Sequence, residues 1–129
     1  MQPLSDLERE VIEMLLAGKH PALPTLRKQL LHSSVASRKL QYASSTELYV
    51  DPGIEDAPLK GKFNLGGVIA ESISGLKWGV GFSLHISGGR LHSLDGVTFD
   101  EPWPESWPQV RSYRLFYVPE PTLLDQFAD

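Results

Sequence analysis

Two histidines lie on either side of a glycine pair, and histidine is the side chain that most readily binds a metal or changes charge near neutral pH. A two-residue turn at Gly88-Gly89 pairs Ser87 with Arg90, and counting outward then places His85 opposite His92. Directly opposed residues share a face, with Cβ atoms about 4.5–5.5 Å apart. The sequence therefore predicts that the two imidazoles lie side by side at a groove, as a ligand contact or a solvated pair. Two ligands alone do not make a metal site, so neither a metal nor a cofactor is expected.

Acidic residues follow the second histidine and are not balanced by bases. Asp95, Asp100, Glu101 and Glu105 form this acidic stretch. It could attract a basic protein partner, such as a toxin, although a solvated loop is the simpler interpretation because surface carboxylates are common. Acids near positions 71, 95 and 101 could instead form the acid/base pair of a small hydrolase or carbohydrate-active enzyme. Nothing in their spacing requires that chemistry, so no residue is assigned a catalytic role.

Tryptophan and proline are concentrated between positions 100 and 108, which predicts an irregular loop. Trp103 and Trp107 could make this loop a recognition surface, since tryptophan is enriched among the residues that dominate binding energy. The favoured alternative is a packed lid, because large aromatic side chains bury most of their area within their own domain.

The stretch from 19 to 40 carries bases and no acid. It could be part of a DNA-binding regulator that uses residues 24–42, with 35–42 as the recognition helix of a helix-turn-helix. The alternation of Leu40, Tyr42, Leu48 and Val50 favours strands instead. The formal net charge of −4 also disfavours a nucleic-acid partner.

Length and composition fit a single domain over residues 1–129. The chain contains no cysteine, which removes disulfides and thiolate chemistry. Neither a signal-peptide pattern nor an apolar stretch of ~20 residues is present, so a cytoplasmic location without membrane attachment is expected. Phosphate-binding loops and hydrolase or metalloprotease motifs are also missing from the sequence.

Residues 5–33 predict a helical hairpin. Ser5 and Glu8 form a capping box, and apolar residues then recur at helical spacing to about residue 17. Gly18 ends this helix, and Pro24 suits the first turn of a second one that ends near His32.

Residues 38–118 predict a mostly antiparallel sheet of about five or six strands. The clearest pattern is at 77–87, where Trp78, Val80, Phe82, Leu84 and Ile86 alternate with small or polar residues. This period of two indicates one core face and one open face. Further strands are expected near 65–73, 90–94 and 110–118, while the polar stretch 44–46 separates two short ones. Asp95-Gly96 is expected to be a second turn, after which 97–99 could continue the sheet. The tail 119–129 is expected to be a short helix or loose.

Several short motifs resemble a family of small, uncharacterised bacterial proteins. They are Gly89-Arg90-Leu91, Leu94-Asp95-Gly96 and Glu101-Pro102-Trp103-Pro104, with Leu15-Leu16-Ala17-Gly18 near the N-terminus. Proteins of that family carry a glycine-rich strand, then Asp-Gly-Arg-Leu, Leu-Glu-Gly-Tyr-Thr and Glu-Pro-Trp-Pro. The resemblance covers about residues 5–118 and implies one intact bacterial domain. It implies no activity and no catalytic residue.

These patterns together predict an α+β fold, with the helical hairpin packed on the sheet. The function they favour is non-enzymatic binding of a protein partner, in its sharpest form an immunity-type protein that neutralises a bacterial toxin. The candidate binding residues are Asp95, Asp100, Glu101, Trp103, Trp107, His85 and His92.

Overall fold

The structure is a computed structural model and describes residues 1–105 and 107–118. Its elements in chain order are α1 (Asp6–Leu15), α2 (Leu23–Leu31), β1 (Ser33–Leu40), β2 (Ala43–Val50), β3 (Lys62–Glu71), β4 (Val80–Ser87), β5 (Arg90–Thr98) and β6 (Arg114–Tyr117). The strands form one sheet in the order β1-β2-β5-β4-β3-β6, and each neighbouring pair is antiparallel. Both helices pack on this sheet, which confirms the α+β prediction. The predicted tail 119–129 lies outside the described residues.

The sheet begins earlier in the chain than the sequence pattern indicates. Strand β1 starts at Ser33 rather than near residue 38, because Val35 is buried in the core and pairs with Leu48 of β2. The segment 35–42 is therefore strand and turn, and the hypothesis that it forms a recognition helix is wrong. At the other end, β6 is shorter than the predicted strand 110–118.

Strand β2 runs straight through the polar stretch that was predicted to separate two strands. Ser44 and Thr46 are buried on the core face, where a polar side chain must find a hydrogen-bond partner. The hydroxyl of Thr46 donates to Glu8 at 2.8 Å, and Ser44 accepts from the indole of Trp107 at 3.0 Å. The prediction failed because the partners that permit this burial are distant in sequence.

Helix α1 begins as predicted, with a complete capping box. Ser5 accepts from the backbone N–H of Glu8 at 3.1 Å, and the Glu8 carboxylate accepts from the backbone N–H of Ser5 at 2.8 Å. Leu7, Val11 and Ile12 are buried on one side of the helix, which fixes that side against the sheet.

Strand β4 places its apolar residues in the core, and the prediction that Phe82 and Leu84 are core residues is confirmed. Trp78, which continues the same alternation in the sequence, is 60% exposed. The strand starts only at Val80, because the φ of +84° at Gly79 is not that of an extended strand. A side chain at Gly79 would also overlap the carbonyl oxygen of Ala70, so this position requires glycine. The backbone turns at this glycine, and the alternation before it has no structural meaning.

Strands β4 and β5 form the predicted hairpin through Gly88-Gly89, both in the left-handed region with φ of 58° and 75°. Ser87 pairs with Arg90 as expected, but the register then shifts and His85 lies opposite Ser93. The predicted pairing of His85 with His92 is therefore wrong.

A β-bulge at His92 causes the shift, and its reason is visible in the sequence. Leu91 and Leu94 are an odd number of residues apart, so strict alternation would expose one of them. The extra residue in β5 lets both leucines enter the core, at 3% and 2% exposure, while His92 is exposed.

Candidate functional site

The side of the sheet opposite the helices carries half-buried and exposed polar residues, and we call it the open face. On β4 it presents Gly81, Ser83 and His85, which alternate with the buried core residues. On β5 and β2 it presents Asp95 and Ser45, which lie directly opposite one another. Asp95 also pairs with Ser83 of β4, on its other side, so the carboxylate lies between two serines at the centre of the sheet.

Asp95 and His85 form the main polar contact of the open face. The imidazole Nε2 lies 2.8 Å from Oδ2 of Asp95, and the two side chains are 33% and 36% exposed. The second carboxylate oxygen, Oδ1, is buried and accepts no hydrogen bond from the described residues. A carboxylate can accept about four hydrogen bonds, so most of the capacity of Asp95 is unused.

Two grooves meet at Asp95. One, of about 560 Å³, is mainly apolar and lies above β3, β4 and the end of β5; we call it the apolar groove. Its lining includes Asn64, Gly66, Gly81, Asp95, Val97 and Phe99. The other, of about 490 Å³, extends toward the hairpin turn; we call it the polar groove. Its lining includes Lys62, Asn64, His85, His92 and Asp95.

The two histidines thus share the polar groove without facing each other across the strands. His85 lies opposite Asn64 of β3, whereas His92 is the exposed bulge residue of β5. Among the described residues no three histidine, aspartate or glutamate side chains are grouped closely enough to hold a metal ion.

The acidic stretch does not form one surface. Asp95 lies on the open face, whereas the Glu101 carboxylate accepts from the backbone N–H groups of Lys77 and Trp78 at 2.6 and 2.9 Å. Asp100, an exposed residue with a φ of 60°, forms the turn between them. Glu101 therefore fixes the loop before β4, and the part that Asp100 and Glu101 play in binding stays a prediction.

The tryptophan loop packs on the core side of the sheet. The Trp107 ring stacks on Phe82 with a centroid distance of 6.0 Å, and Trp103 lies 4.7 Å from Trp107. The Trp107 indole donates to Ser44 of β2. These contacts are those of the packed lid that the sequence favours, and a direct role of the tryptophans in binding stays a prediction.

Tyr113 attaches the end of this loop region to α1, because its hydroxyl donates to the carboxylate of Glu10. Burial and the hydrogen bond to Glu10 raise the pKa of Tyr113 to about 12. The phenol therefore stays a neutral donor throughout the range in which proteins function.

The acids proposed for acid/base catalysis each have a different partner. Glu71 lies 3.6 Å from Arg114, and Asp95 lies 2.8 Å from His85. Glu101 accepts a hydrogen bond from the loop backbone at Lys77. Neither groove that includes Asp95 is lined by Glu71 or Glu101. These two grooves therefore do not bring Asp95 together with either of the other two acids, as hydrolysis of a glycosidic bond by a carboxylate pair would require.

Comparison with family models, curated proteins and solved structures yields no match. The resemblance to the uncharacterised bacterial family therefore stays a prediction. No helix among the described residues is both long and apolar enough to cross a membrane.

Proposed function

We propose that this chain is a non-enzymatic protein-binding domain whose partner binds the open face. The observation that supports it best is the Asp95–His85 pair, which lies half-buried where two grooves meet. Pockets and aromatic residues are typical of interface centres. Tyr49, an exposed residue of β2, extends this surface beyond the grooves.

The partner that fits this surface best is a basic protein. Asp95 and Glu47 present carboxylates on the central strands β5 and β2 of the open face, whereas Lys39 and Lys62 lie on the flanking strands β1 and β3. The whole chain carries a net charge of −4. Opposite charges speed association and exclude wrong partners. In its sharpest form, the proposal is an immunity-type protein that neutralises a basic bacterial toxin in the cytoplasm. Glu101, Trp103 and Trp107 support the sheet indirectly in this scheme, while Asp100 can extend the contact.

Binding is favoured over catalysis by the way the acids are used. Two of the three acids considered for catalysis are held by a base or by loop backbone on other parts of the molecule. Asp95 lies where two grooves meet, and no second carboxylate lines either groove, which supports recognition over a hydrolysis that needs two carboxylates.

The test is complex formation with the protein encoded beside this chain, since toxin and neutraliser are usually encoded together. The purified proteins should form a stable complex by gel filtration, and calorimetry should give one binding site. Glu47→Lys on the open face should weaken binding at least about tenfold, because a charge reversal opposes a basic partner.

The matched control is Glu13→Lys, the same charge reversal on the exposed side of α1. This variant should bind as the wild type does. Absence of a complex would contradict the protein-binding proposal. Equal weakening by both substitutions would contradict the placement of the interface on the open face.

A further inference from the structure

We infer that the apolar groove beside Asp95 binds an arginine side chain of the partner protein. This inference deepens the proposed function by naming the partner group that the groove recognises. It depends on the shape of the groove floor, on the charge at its end and on the unused hydrogen-bond capacity of Asp95.

The floor of the apolar groove leaves room for a thin side chain. Gly81 lies on β4 with Phe99 and Val97 beside it, and a Cβ atom built at Gly81 would be 3.4 Å from the Phe99 ring. Because glycine has no Cβ, its backbone is open to the groove beside the ring. An aliphatic stem can lie over this bare backbone, and a planar guanidinium stacks favourably against an aromatic ring.

The charge of the groove is complementary to a cation. Asp95 is the only charged side chain among the described residues that line the apolar groove. Its Oδ2 lies 2.8 Å from Nε2 of His85, and its Oδ1 accepts no hydrogen bond from the described residues. Because Oδ1 is buried, the exposed part of the carboxylate is at Oδ2, which can accept a further hydrogen bond from a cation in the groove.

Arginine matches these features better than other side chains do. Its guanidinium presents several N–H donors in a fixed plane and is more weakly hydrated than the ammonium group of lysine. It can donate to the carboxylate of Asp95 while its apolar stem covers the floor at Gly81. His85 acts here as a positioning residue, because its ring holds one carboxylate oxygen from the side of the polar groove.

The experiment titrates the purified chain with the peptide acetyl-Gly-Arg-Gly-amide and follows backbone amide shifts by ¹H–¹⁵N NMR. The expected shifts saturate and centre on Gly81, Ser83 and Asp95. A peptide with citrulline in place of arginine has nearly the same shape without the charge. It should bind about tenfold more weakly or worse, because charge-assisted hydrogen bonds are the strong ones.

Three variants locate the site. Asp95→Asn should weaken arginine binding about tenfold. Gly81→Ala should abolish it, because the added carbon fills the floor while its backbone geometry tolerates alanine. Glu13→Gln removes an equal charge from the exposed side of α1, outside both grooves, and should bind as the wild type does. Retained amide dispersion in each variant shows that it is folded.

Equal binding of the arginine and citrulline peptides, or equal binding by Asp95→Asn and the wild type, would overturn the inference. If the arginine peptide does not bind, the protein-binding function is still tested by complex formation with the neighbour-encoded protein. A neighbour-encoded protein that binds the open face without sensitivity to Gly81→Ala would support a protein interface and still reject the arginine site.

Discussion

Glu8 is a buried carboxylate whose charge is stabilised entirely by neighbouring donors. Arg38 donates to both of its oxygens, at 2.6 and 3.1 Å, and Thr46 and the backbone of Ser5 supply further hydrogen bonds. Burial alone would raise the pKa of Glu8, but these donors outweigh it and hold the pKa below its usual value of 4.5.

The lowered pKa of Glu8 makes stability depend on pH in a defined direction. The unfolded chain binds a proton at this position at higher pH than the folded chain does, so acid favours unfolding. The contribution of Glu8 is fully present above the unfolded pKa and is lost as the pH falls through the folded pKa. We expect the free energy of unfolding in urea to fall as the pH is lowered below about 5.

Glu8→Gln tests that assignment. It should destabilise the protein by roughly 1.5–3 kcal/mol at neutral pH, because Arg38 loses its charged acceptor. It should also flatten the acid side of the stability profile. Glu13→Gln, the same change at an exposed position of α1, should leave both unchanged. An acid limb as steep in Glu8→Gln as in the wild type would place the titrating group elsewhere.

Phe82 is the residue through which the core and the tryptophan loop meet. It is buried on β4 and stacks on Trp107. Phe82→Ala should cost about 3–5 kcal/mol of unfolding free energy, because it leaves a cavity and removes the stacking partner of the loop. Urea unfolding measures the loss, and a value below about 1 kcal/mol would contradict a core role.

At the scale of elements, the turn between β4 and β5 offers a matched pair of glycines. Both have positive φ, but a side chain at Gly88 meets nothing within 4 Å, whereas one at Gly89 would overlap the carbonyl oxygen of Ala57. The loop at Ala57 lies so close because its N–H donates to the Gly89 carbonyl at 2.7 Å, and the buried Gln29 donates there at 2.9 Å.

Alanine at each glycine therefore separates two effects. Gly88→Ala should cost roughly 1–2 kcal/mol, which is the penalty of the left-handed conformation alone. Gly89→Ala should cost clearly more, because the loop and Gln29 must also move. Urea unfolding of the two variants checks the difference. Equal losses of unfolding free energy would show that the close approach of Ala57 does not contribute to stability.

At this scale, the sequence signals that predict the structure correctly are local ones. The capping box, the hairpin turn and the alternation from Val80 to Ile86 depend on neighbouring residues, and all were predictable. The burial of Ser44 and Thr46 depends on Trp107 and Glu8, which no local pattern reveals.

The candidate site was predictable only in part, for the same reason. The sequence indicates His85 and Asp95, but counting outward from the turn pairs the wrong histidines, because strict alternation omits the bulge that the spacing of Leu91 and Leu94 requires. Ser45, Ser83 and Asn64, which surround these two residues, were missed since short polar side chains on strands resemble ordinary surface.

At the scale of the whole molecule, the bases between 19 and 40 determine whether the chain can bind nucleic acid. Binding to duplex DNA requires free cations that neutralise phosphates. Arg27 donates to the carbonyl of Leu16 at 2.6 Å, Lys28 lies 3.8 Å from Glu55, and Arg38 is bonded to the buried Glu8. Arg27 and Arg38 thereby support the fold, whereas Lys28 forms an exposed surface pair. Strand β1, Ser33–Leu40, covers most of the candidate recognition helix.

We therefore expect no tight complex with duplex DNA at physiological salt. Separating Arg38 from Glu8 would leave a buried carboxylate unpaired and destabilise the fold, so Arg38 is unavailable to neutralise a phosphate. The remaining charge opposes binding, because the whole chain is at −4 and a polyanion is repelled. An electrophoretic mobility shift at nanomolar protein that weakens steeply with added salt would contradict this expectation and restore a DNA-binding role. A shift that appears only at low salt and micromolar protein would agree with it, because nonspecific contacts between exposed bases and phosphates are screened under physiological conditions.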